Sequence, residues 1–404
     1  MELLKSVAQQ PKVTSLSAMK AVYNLRLFYF LTGLTGGLLG PYLTTLFSYN
    51  GLSSNQVGIV MSIGTCISVL IQPIWGMLVD RYQCTRLILT LSLAVPGILA
   101  YFYNTGLFMM MVIIYSVSTI FAASQIPTSD SYAVEAAKQA KKTYGSIRSL
   151  GSFGNALGGF AGGLYLSYFL IDSIWVPYLI LNVAAITVVL ILPFNRSRKS
   201  VSGNSPFSKG VKELITNPIF IVFLLGCFMV NQTLTAFNTY FVLSFQAIGG
   251  SFSLAGTALL IASLTNVPAM VLASRVINRI GYEKTLLFAA TAYIVRWGIQ
   301  LFFPIPFVVI GIQVLHGLSF GFFYIAAVEY VAKITGKHIQ ATGQSVFNMV
   351  FVGLAGMVGN LLNGYLFEVG GPNLMYLSCS ISSCFGAILL FYVYKITKQR
   401  LNPA

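Results

Sequence analysis

The sequence predicts an all-α membrane protein in which twelve transmembrane helices form two pseudo-symmetric six-helix bundles, with both termini in the cytoplasm. Three features predict this: long apolar blocks, an alternating placement of basic residues, and a weak internal repeat. Of 404 residues, 56% are hydrophobic and 8% are charged, whereas soluble domains carry about 25% charged residues. The apolar blocks are roughly 18–27 residues long, which is the length that spans a hydrocarbon core of about 30 Å.

Hydropathy divides the chain into helices and connections. The predicted helices are 23–47, 57–79, 87–103, 107–130, 144–168, 174–194, 219–245, 254–277, 285–303, 307–334, 343–369 and 374–396. A polar, basic segment at 195–218 separates the sixth helix from the seventh. We therefore expect an N-terminal bundle at 1–194, a cytoplasmic linker at 195–218 and a C-terminal bundle at 219–404.

The basic residues indicate the orientation of the helices. The odd-numbered connections, such as 48–56 and 304–306, contain no Lys or Arg, whereas the even-numbered connections and both termini contain them. By the positive-inside rule, both termini are cytoplasmic and the number of helices is even. The net charge of +15 then reflects orientation and contact with anionic lipids rather than nucleic-acid binding. We expect a multi-pass protein of the inner or plasma membrane that works as a monomer.

The cysteines and motifs give no sign of catalysis. Four of the five cysteines lie inside apolar spans, and none has the spacing of zinc ligands. No nucleotide-binding loop or nucleophile–base motif is present, and the N-terminus lacks the pattern of a cleavable signal peptide. We predict no enzyme activity, no metal and no cofactor.

Two short segments recur at equivalent places in the two halves. Asp80-Arg81-Tyr82-Gln83 with Arg86 resembles Asn278-Arg279-Ile280-Gly281 with Lys284, each in the second connection of its half. Ala133-Val134-Glu135 resembles Ala327-Val328-Glu329, each at the cytoplasmic end of a fourth helix. Parallel six-helix repeats with a site at their interface are an established plan for transport proteins.

Glycines at four-residue spacing follow one face of the fifth helix, as in Gly154, Gly158 and Gly162. Small residues at this spacing let helix backbones approach closely. The glycines could serve tight static packing between helices. Alternatively, they could let helix faces slide past each other during a transport cycle.

Four ionisable residues lie deep within the predicted spans. Asp130 and Arg148 are equidistant from position 139, in the turn between two antiparallel helices. Both lie at most about 13 Å from that turn, so they can form an ion pair. Arg296 and His316 flank Pro306 in the same way, at a depth of at most about 15 Å. Charged groups at this depth are costly unless they are paired or line a wet cavity, which makes them candidates for function.

The chemistry of these residues suggests their roles. Arginine offers a planar fork for a carboxylate or paired hydroxyls. Asp130 could position Arg148, bind substrate hydroxyls or accept a proton, and His316 could change charge near physiological pH. The alternatives are a static Asp130–Arg148 staple between helices and a neutral, hydrogen-bonded His316.

Glu329 is also a possible proton carrier, but its repeat partner Glu135 lies at the membrane edge. This symmetry favours a cytoplasmic gate in which both glutamates pair with loop arginines such as Arg81 or Arg279. Asp80, Arg86 and Lys284 belong to the same predicted gate.

The segment Gly76-Met77-Leu78-Val79-Asp80-Arg81, followed by Arg86, resembles the signature of the major facilitator superfamily. Gln83 stands where that signature has glycine, whereas the second copy keeps Gly281. The resemblance covers essentially the whole chain and implies the major facilitator fold.

Further segments resemble the phenylpropionic acid permease group, which is similar to the lactose permease and other oligosaccharide–proton symporters. They are Pro127-Thr128-Ser129-Asp130, 144–152, Val295-Arg296-Trp297-Gly298 and Leu315-His316-Gly317. This resemblance implies that Asp130 and Arg148 bind substrate and that Arg296 and His316 belong to a proton-coupling cluster. Asn266 matches an asparagine near the sugar site of the lactose permease.

Three departures from the lactose permease change the expected substrate and coupling. Ser319 replaces the proton-binding glutamate, Ser263 replaces a sugar-site glutamate, and Asn155 replaces a stacking tryptophan. Lactose is therefore not the expected solute, and a proton must use another carboxylate or His316. We expect Asp130, Arg148, Asn155, Asn266 and Arg296 to bind substrate, and Asp130 and His316 to couple protons.

The sequence thus predicts a secondary transporter for a small organic acid, sugar or nucleoside, driven by a proton gradient in the uptake direction. The fifth helix lacks the Gly-Pro element of drug antiporters, which favours uptake. The alternatives are an exporter of lipophilic compounds and a transporter-like sensor that moves nothing.

Overall fold

The computed structural model describes residues 15–193 and 207–401, and within these ranges the regular structure is helical without strands. The side chains of residues 15–18, 80, 207–210, 337–338 and 400–401 are outside this description, so the predicted role of Asp80 lies outside it. Nine helical stretches in these ranges are long and apolar enough to cross a membrane. The prediction of a helical membrane protein is confirmed, while the number of crossings and the cytoplasmic termini stay predictions.

Six long helical segments make up the first half, of which the first contains a short 3-10 turn at Gly40–Tyr42. They are α1 (15–49), α2 (Ser54–Tyr82), α3 (Thr85–Asn104), α4 (Phe108–Gln139), α5 (Gly145–Leu166) and α6 (Ile171–Ile191).

The second half has six corresponding segments. They are α7 (218–247), α8 (Phe252–Ile280), α9 (Tyr282–Phe302), α10 (Pro306–Gly336), α11 (339–369) and α12 (372–401). A short helix, Phe207–Ile215, lies within the predicted linker. Non-helical backbone at Gly336 separates α10 from α11, and non-helical backbone at Gly370 and Gly371 separates α11 from α12.

Helix α4 continues to Gln139, well beyond the predicted end at 130. Ala133 and Ala137 in this extension are buried, and alanine has the highest helix propensity. The small apolar side chains therefore prolong the helix, although the mean hydropathy of this segment is too low for it to be predicted as part of a membrane span.

Close glycine packing joins α1 to α5. A Cβ at Gly37 on α1 would lie 2.8 Å from the backbone nitrogen of Gly159 on α5. A Cβ at Gly158 on α5 would likewise lie 2.9 Å from the backbone nitrogen of Leu38 on α1. These positions need glycine because the two backbones are in contact.

The two halves meet through α5 against α8 and through α2 against α11. A Cβ at Gly256 on α8 would lie 3.0 Å from the carbonyl oxygen of Phe160 on α5. The backbone N–H of Asn55 on α2 donates to Glu368 Oε2 on α11 at 2.7 Å. These contacts use the helix ends beside the connections at 50–53 and 248–251, which the positive-inside rule places outside. This end is called the outer end below, and the opposite end the inner end.

The internal repeat predicted from sequence occupies equivalent structural positions. Gln83 follows the last residue of α2 with φ 53°, and Gly281 follows the last residue of α8 with φ 86°. Both therefore adopt the positive φ that commonly ends a helix and that glycine adopts without strain.

Candidate functional site

An ion pair inside the first half joins α4 to α5. Arg148 Nη1 donates to Asp130 Oδ1 at 2.6 Å, and the Tyr29 hydroxyl on α1 donates to the same oxygen at 2.6 Å. The hydroxyl of Tyr144, one turn before Arg148, lies 3.2 Å from Nη1. The Asp130–Arg148 pairing predicted from the spacing is confirmed, and three helices position it.

Arg148 is only partly used by this ion pair. Both Asp130 oxygens accept from Nη1 of Arg148. The Nε and Nη2 atoms of Arg148 have no hydrogen-bond partner in the part of the chain that the structure describes. The Arg148 side chain is 43% exposed and that of Asp130 is 28% exposed. The guanidinium therefore keeps donors available for a ligand.

One face of α5 carries both the ion pair and the contact with the other half. Arg148, Asn155, Gly159 and Gly163 follow one another at intervals of seven, four and four residues, which are about two, one and one helical turns, and so share that face. Near the outer end, a Cβ at Gly159 would contact Leu259 of α8 at 3.4 Å. Near the inner end, Asn155 is exposed and Arg148 is half-exposed. The same face thus contacts α8 near one end and is exposed near the other.

Asn266 extends the facing surface of α8. It lies seven residues after Leu259 and is half-buried, so it shares the α8 face that meets α5 further out. Its Oδ1 atom has no hydrogen-bond partner among the described residues and lies next to Gly321 of α10. Asn155 thus lies on an exposed part of α5, whereas the amide oxygen of Asn266 is buried between α8 and α10.

A second polar cluster lies in the core of the second half. Arg296 on α9 is 0% exposed. Its Nη2 donates to Gln313 Oε1 at 2.7 Å, and its Nη1 lies 2.9 Å from His316 Nδ1, both on α10. The guanidinium carbon lies 4.4 Å from the ring centre of Phe237 on α7. Arg296 and His316 are thus adjacent, as the hairpin geometry predicts.

The contact between Arg296 and His316 determines the state of the imidazole. A guanidinium only donates hydrogen bonds, so His316 Nδ1 must accept, and its proton is on Nε2. This is the neutral imidazole, inferred from the hydrogen-bond partner. In this conformation His316 accepts a hydrogen bond from a cation and is not itself a cation.

The two clusters do not share one open cavity in this structure. The Asp130–Arg148 pair is half-exposed, whereas Arg296 is enclosed by its own half and His316 is 7% exposed. Phe237 and Phe320 lie against the imidazole ring, with centroids 4.5 and 5.7 Å away. The similar depth of the two pairs predicts a central cavity that both reach, but in this structure aromatic rings cover the second cluster.

The predicted gate residues have other partners in this conformation. Glu135 accepts from Gln139 at 2.9 Å, and Glu329 accepts from Ser274 at 3.3 Å. Neither glutamate forms an ion pair with Arg81 or Arg279 among the side chains that the structure describes, whereas Arg148 pairs with Asp130 and Lys333 pairs with Glu283. The helix ends that carry these glutamates belong to the inner end.

The remaining gate residues also contact neighbours in their own half. Arg86 Nη2 donates to Leu192 O at 2.9 Å, next to the end of α6. Lys284 Nζ lies 6.0 Å from the ring centre of Tyr394 on α12.

Several residues of the two clusters were not identified from the sequence. Tyr29 and Arg26 lie one turn apart on α1 facing the ion pair, and Arg26 Nη2 donates to Ser146 Oγ at 3.2 Å. Arg26 is a charged residue within the first apolar block, a signal that could have been read. Gln313 lies three residues before His316 and could have been placed on the same helix face. Phe237 gives no comparable signal, because it is one aromatic residue among many.

Comparisons with known proteins agree with this architecture. A family model described as the MFS_1 like family matches residues 22–378. The chain is 30% identical to an uncharacterized transporter, YwbF, of Bacillus subtilis (strain 168), over 95% of the chain and 94% of that protein. It is 26% identical to a maltose permease of Geobacillus stearothermophilus, over 94% and 95%.

Among solved structures, a mutant of the nucleoside transporter NupG superposes with a TM-score of 0.81 at 17% identity. This similarity covers 93% of the chain and 99% of that structure and shows the fold alone. Lactose and phenylpropionic acid transporters are also among the relatives, as the sequence motifs indicated.

Proposed function

Because the chain belongs to the MFS_1 like family, whose fold is that of secondary transporters, we propose that it is a proton-coupled symporter for uptake of a small organic solute. Relatives along nearly its full length are named as transporters or permeases for a sugar, a nucleoside and an organic acid. Movement of a small solute across the membrane is the activity that these relatives share. Coupling, direction and solute class are the proposed parts.

The half-exposed Arg148 carries this proposal. Its guanidinium is held by Asp130 through one nitrogen, and its side chain is 43% exposed on the α5 face that meets α8 further out. A charged group in a membrane interior is retained where it meets a ligand or an ion. Arg148 is therefore the proposed anchor for the solute, with Asn155 on the same face of α5 and Asn266 on α8.

The chemistry of the anchor favours a narrow set of solutes. A guanidinium donates two parallel hydrogen bonds to a carboxylate or to neighbouring hydroxyls. Asp130 adds acceptor oxygens for hydroxyl or amine groups. Organic acids, sugars and nucleosides fit these donors and acceptors. A purely lipophilic compound would leave the donors and acceptors without hydrogen bonds, which costs binding free energy.

Asp130 and His316 are the proposed proton carriers. Asp130 is partly exposed and lies within the substrate anchor, so protonation there would weaken its hold on Arg148. His316 can take up a proton only after Nδ1 releases Arg296. In this proposal, proton uptake is therefore linked to weakening of the Asp130–Arg148 contact or of the His316–Arg296 contact.

The anchor is tested by Arg148→Gln. Loss of hydrogen bonds from a charged donor, about 1.5–3 kcal/mol, should reduce uptake by about 10- to 150-fold. The measurement is initial uptake of labelled solute into proteoliposomes. Lys138→Gln removes the same charge at an exposed site near the inner end of α4 and should leave uptake unchanged. Normal uptake by a correctly inserted Arg148→Gln protein would remove Arg148 from the solute site.

Proton coupling is tested with a pH electrode. Adding solute to right-side-out vesicles should make the external medium more alkaline, because each solute enters with a proton. The alkalinisation should disappear in Arg148→Gln and remain in Lys138→Gln. Robust uptake that is insensitive to a protonophore and leaves the pH constant would contradict the proposed coupling.

A further inference from the structure

Arg296 is a buried cation without an acidic partner among the described residues. The chain has nine acidic residues, of which four are in the linker helix and the second half. Glu283 pairs with Lys333, Glu329 accepts from Ser274, and Glu368 accepts from the backbone of Asn55. The fourth, Glu213, lies in the linker helix Phe207–Ile215. Glu283 and Glu368 lie at helix ends and Glu329 lies about two turns before the end of α10, whereas Arg296 lies well inside α9.

The groups that contact Arg296 are neutral. Its hydrogen-bond partners are the amide of Gln313 and the imidazole of His316. Its guanidinium lies against the rings of Phe237 and Trp297, with centroids 4.4 and 4.8 Å away. Amide dipoles and aromatic faces attract a cation but do not neutralise it. A buried charge without compensation is strongly destabilising.

Two hydrogen-bond donors in this cluster have no acceptor. Arg296 Nε and the Tyr293 hydroxyl are buried without hydrogen-bond partners among the described residues. Tyr293 precedes Arg296 by three residues and so lies on the same face of α9. Both residues are 0% exposed. A positive charge and two unused donors therefore lie on one buried face of α9.

From this we infer that Arg296, with Tyr293, forms a binding site for a small monovalent anion inside the second half. The anion would supply the missing negative charge and accept from Arg296 Nε and the Tyr293 hydroxyl. A halide ion or the carboxylate of a small organic acid has this chemistry. The site is separate from the Asp130–Arg148 anchor and goes beyond the proposed uptake function.

Burial limits the size of the anion. Phe237, Trp297 and Phe320 surround Arg296 and His316 with rings at close distance. A chloride or acetate ion would displace these rings less than a bulky sulfonate would. Selectivity by size is therefore part of the inference.

The test is the thermal stability of the purified full-length protein in different sodium salts. A ligand that binds only the folded state raises the apparent Tm with its concentration. In the wild type, sodium chloride and sodium acetate should each raise Tm in a saturable way, relative to a bulky sulfonate salt of equal ionic strength. Stabilisation by acetate alone would identify the ligand as a carboxylate, the group that an organic-acid solute carries.

Gln313→Glu is the decisive variant, because Gln313 Oε1 already accepts from Arg296 at 2.7 Å. A carboxylate there supplies the missing charge, so the anion dependence of Tm should be lost. Gln399→Glu adds the same charge at an exposed position near the end of α12 and should keep the dependence.

Tyr293→Phe removes only one donor and should raise the half-saturating anion concentration by about two- to tenfold. Equal Tm in all salts for the wild type, or the same anion dependence in Gln313→Glu, would overturn the site. If Gln313→Glu does not fold, the Tyr293→Phe variant decides the test. A half-saturating anion concentration equal to that of the wild type would then overturn the proposed site. Uptake is not measured in this test, so failure of the proposed transport would not affect its outcome.

Discussion

Tyr29 shows how a single neutral side chain organises charged residues from other helices. It is 6% exposed, and its hydroxyl donates to Asp130 at 2.6 Å. The carboxylate is thus held from α1 as well as from α5. Because α1 and α5 are also joined by close glycine packing, movement of either helix would alter this cluster.

Tyr29→Phe is expected to lower the stability of the protein by about 1 kcal/mol, the usual value of one hydrogen bond. The measurement is the Tm of the detergent-purified protein. Tyr23→Phe, on the same helix, changes a side chain that is 70% exposed and should have no effect. The same decrease in both variants would indicate that the Asp130 contact adds nothing.

At the scale of single elements, the end of α4 depends on an unusual backbone conformation. Lys141 has φ 53°, and the N–H of Lys142 donates to Ala137 O at 2.9 Å, which closes the end of the helix. This is the position that glycine commonly occupies, because other residues pay a steric cost at positive φ. The turn connects α4 to α5, and so it helps to set the separation of Asp130 from Arg148.

Lys141→Gly should therefore be more stable than Lys141→Ala by about 1 kcal/mol, although both remove the same charge. The measurement is the difference in Tm between the two variants. At Lys142, where φ is not positive, Ala should be at least as good as Gly. Equal stability of the two Lys141 variants would show that the turn relaxes without strain.

At the scale of the whole molecule, the closed outer end depends on glycines between the halves. Gly58 on α2 lies against Asn360 and Gly364 of α11, and a Cβ there would lie 2.6 Å from Asn360 O. Towards the inner end, the α5 face that carries Arg148 is partly exposed. In the proposed transport cycle, this conformation would be one with the outer end closed.

Gly58→Leu should prevent closure of the outer end and shift the population towards a state open on that side. The distance between spin labels placed in the connections at 50–53 and 248–251 should increase, and solute uptake should fall. Gly311→Leu is the control, because no atom lies within 4 Å of a Cβ at that position. An unchanged distance distribution in Gly58→Leu would mean that this contact does not hold the outer end closed.

The sequence by itself determined the membrane class, the approximate helices, the repeat and the Asp130–Arg148 pair. These depend on hydrophobic length and helical period, and the pair belongs to one hairpin whose geometry follows from residue spacing. Only the tertiary structure decided that Tyr29 completes the first cluster, that aromatic rings enclose Arg296, and that the halves are closed at one end. Those features depend on packing between helices that are distant in sequence, where the shape of each contact, rather than hydropathy, decides which faces meet.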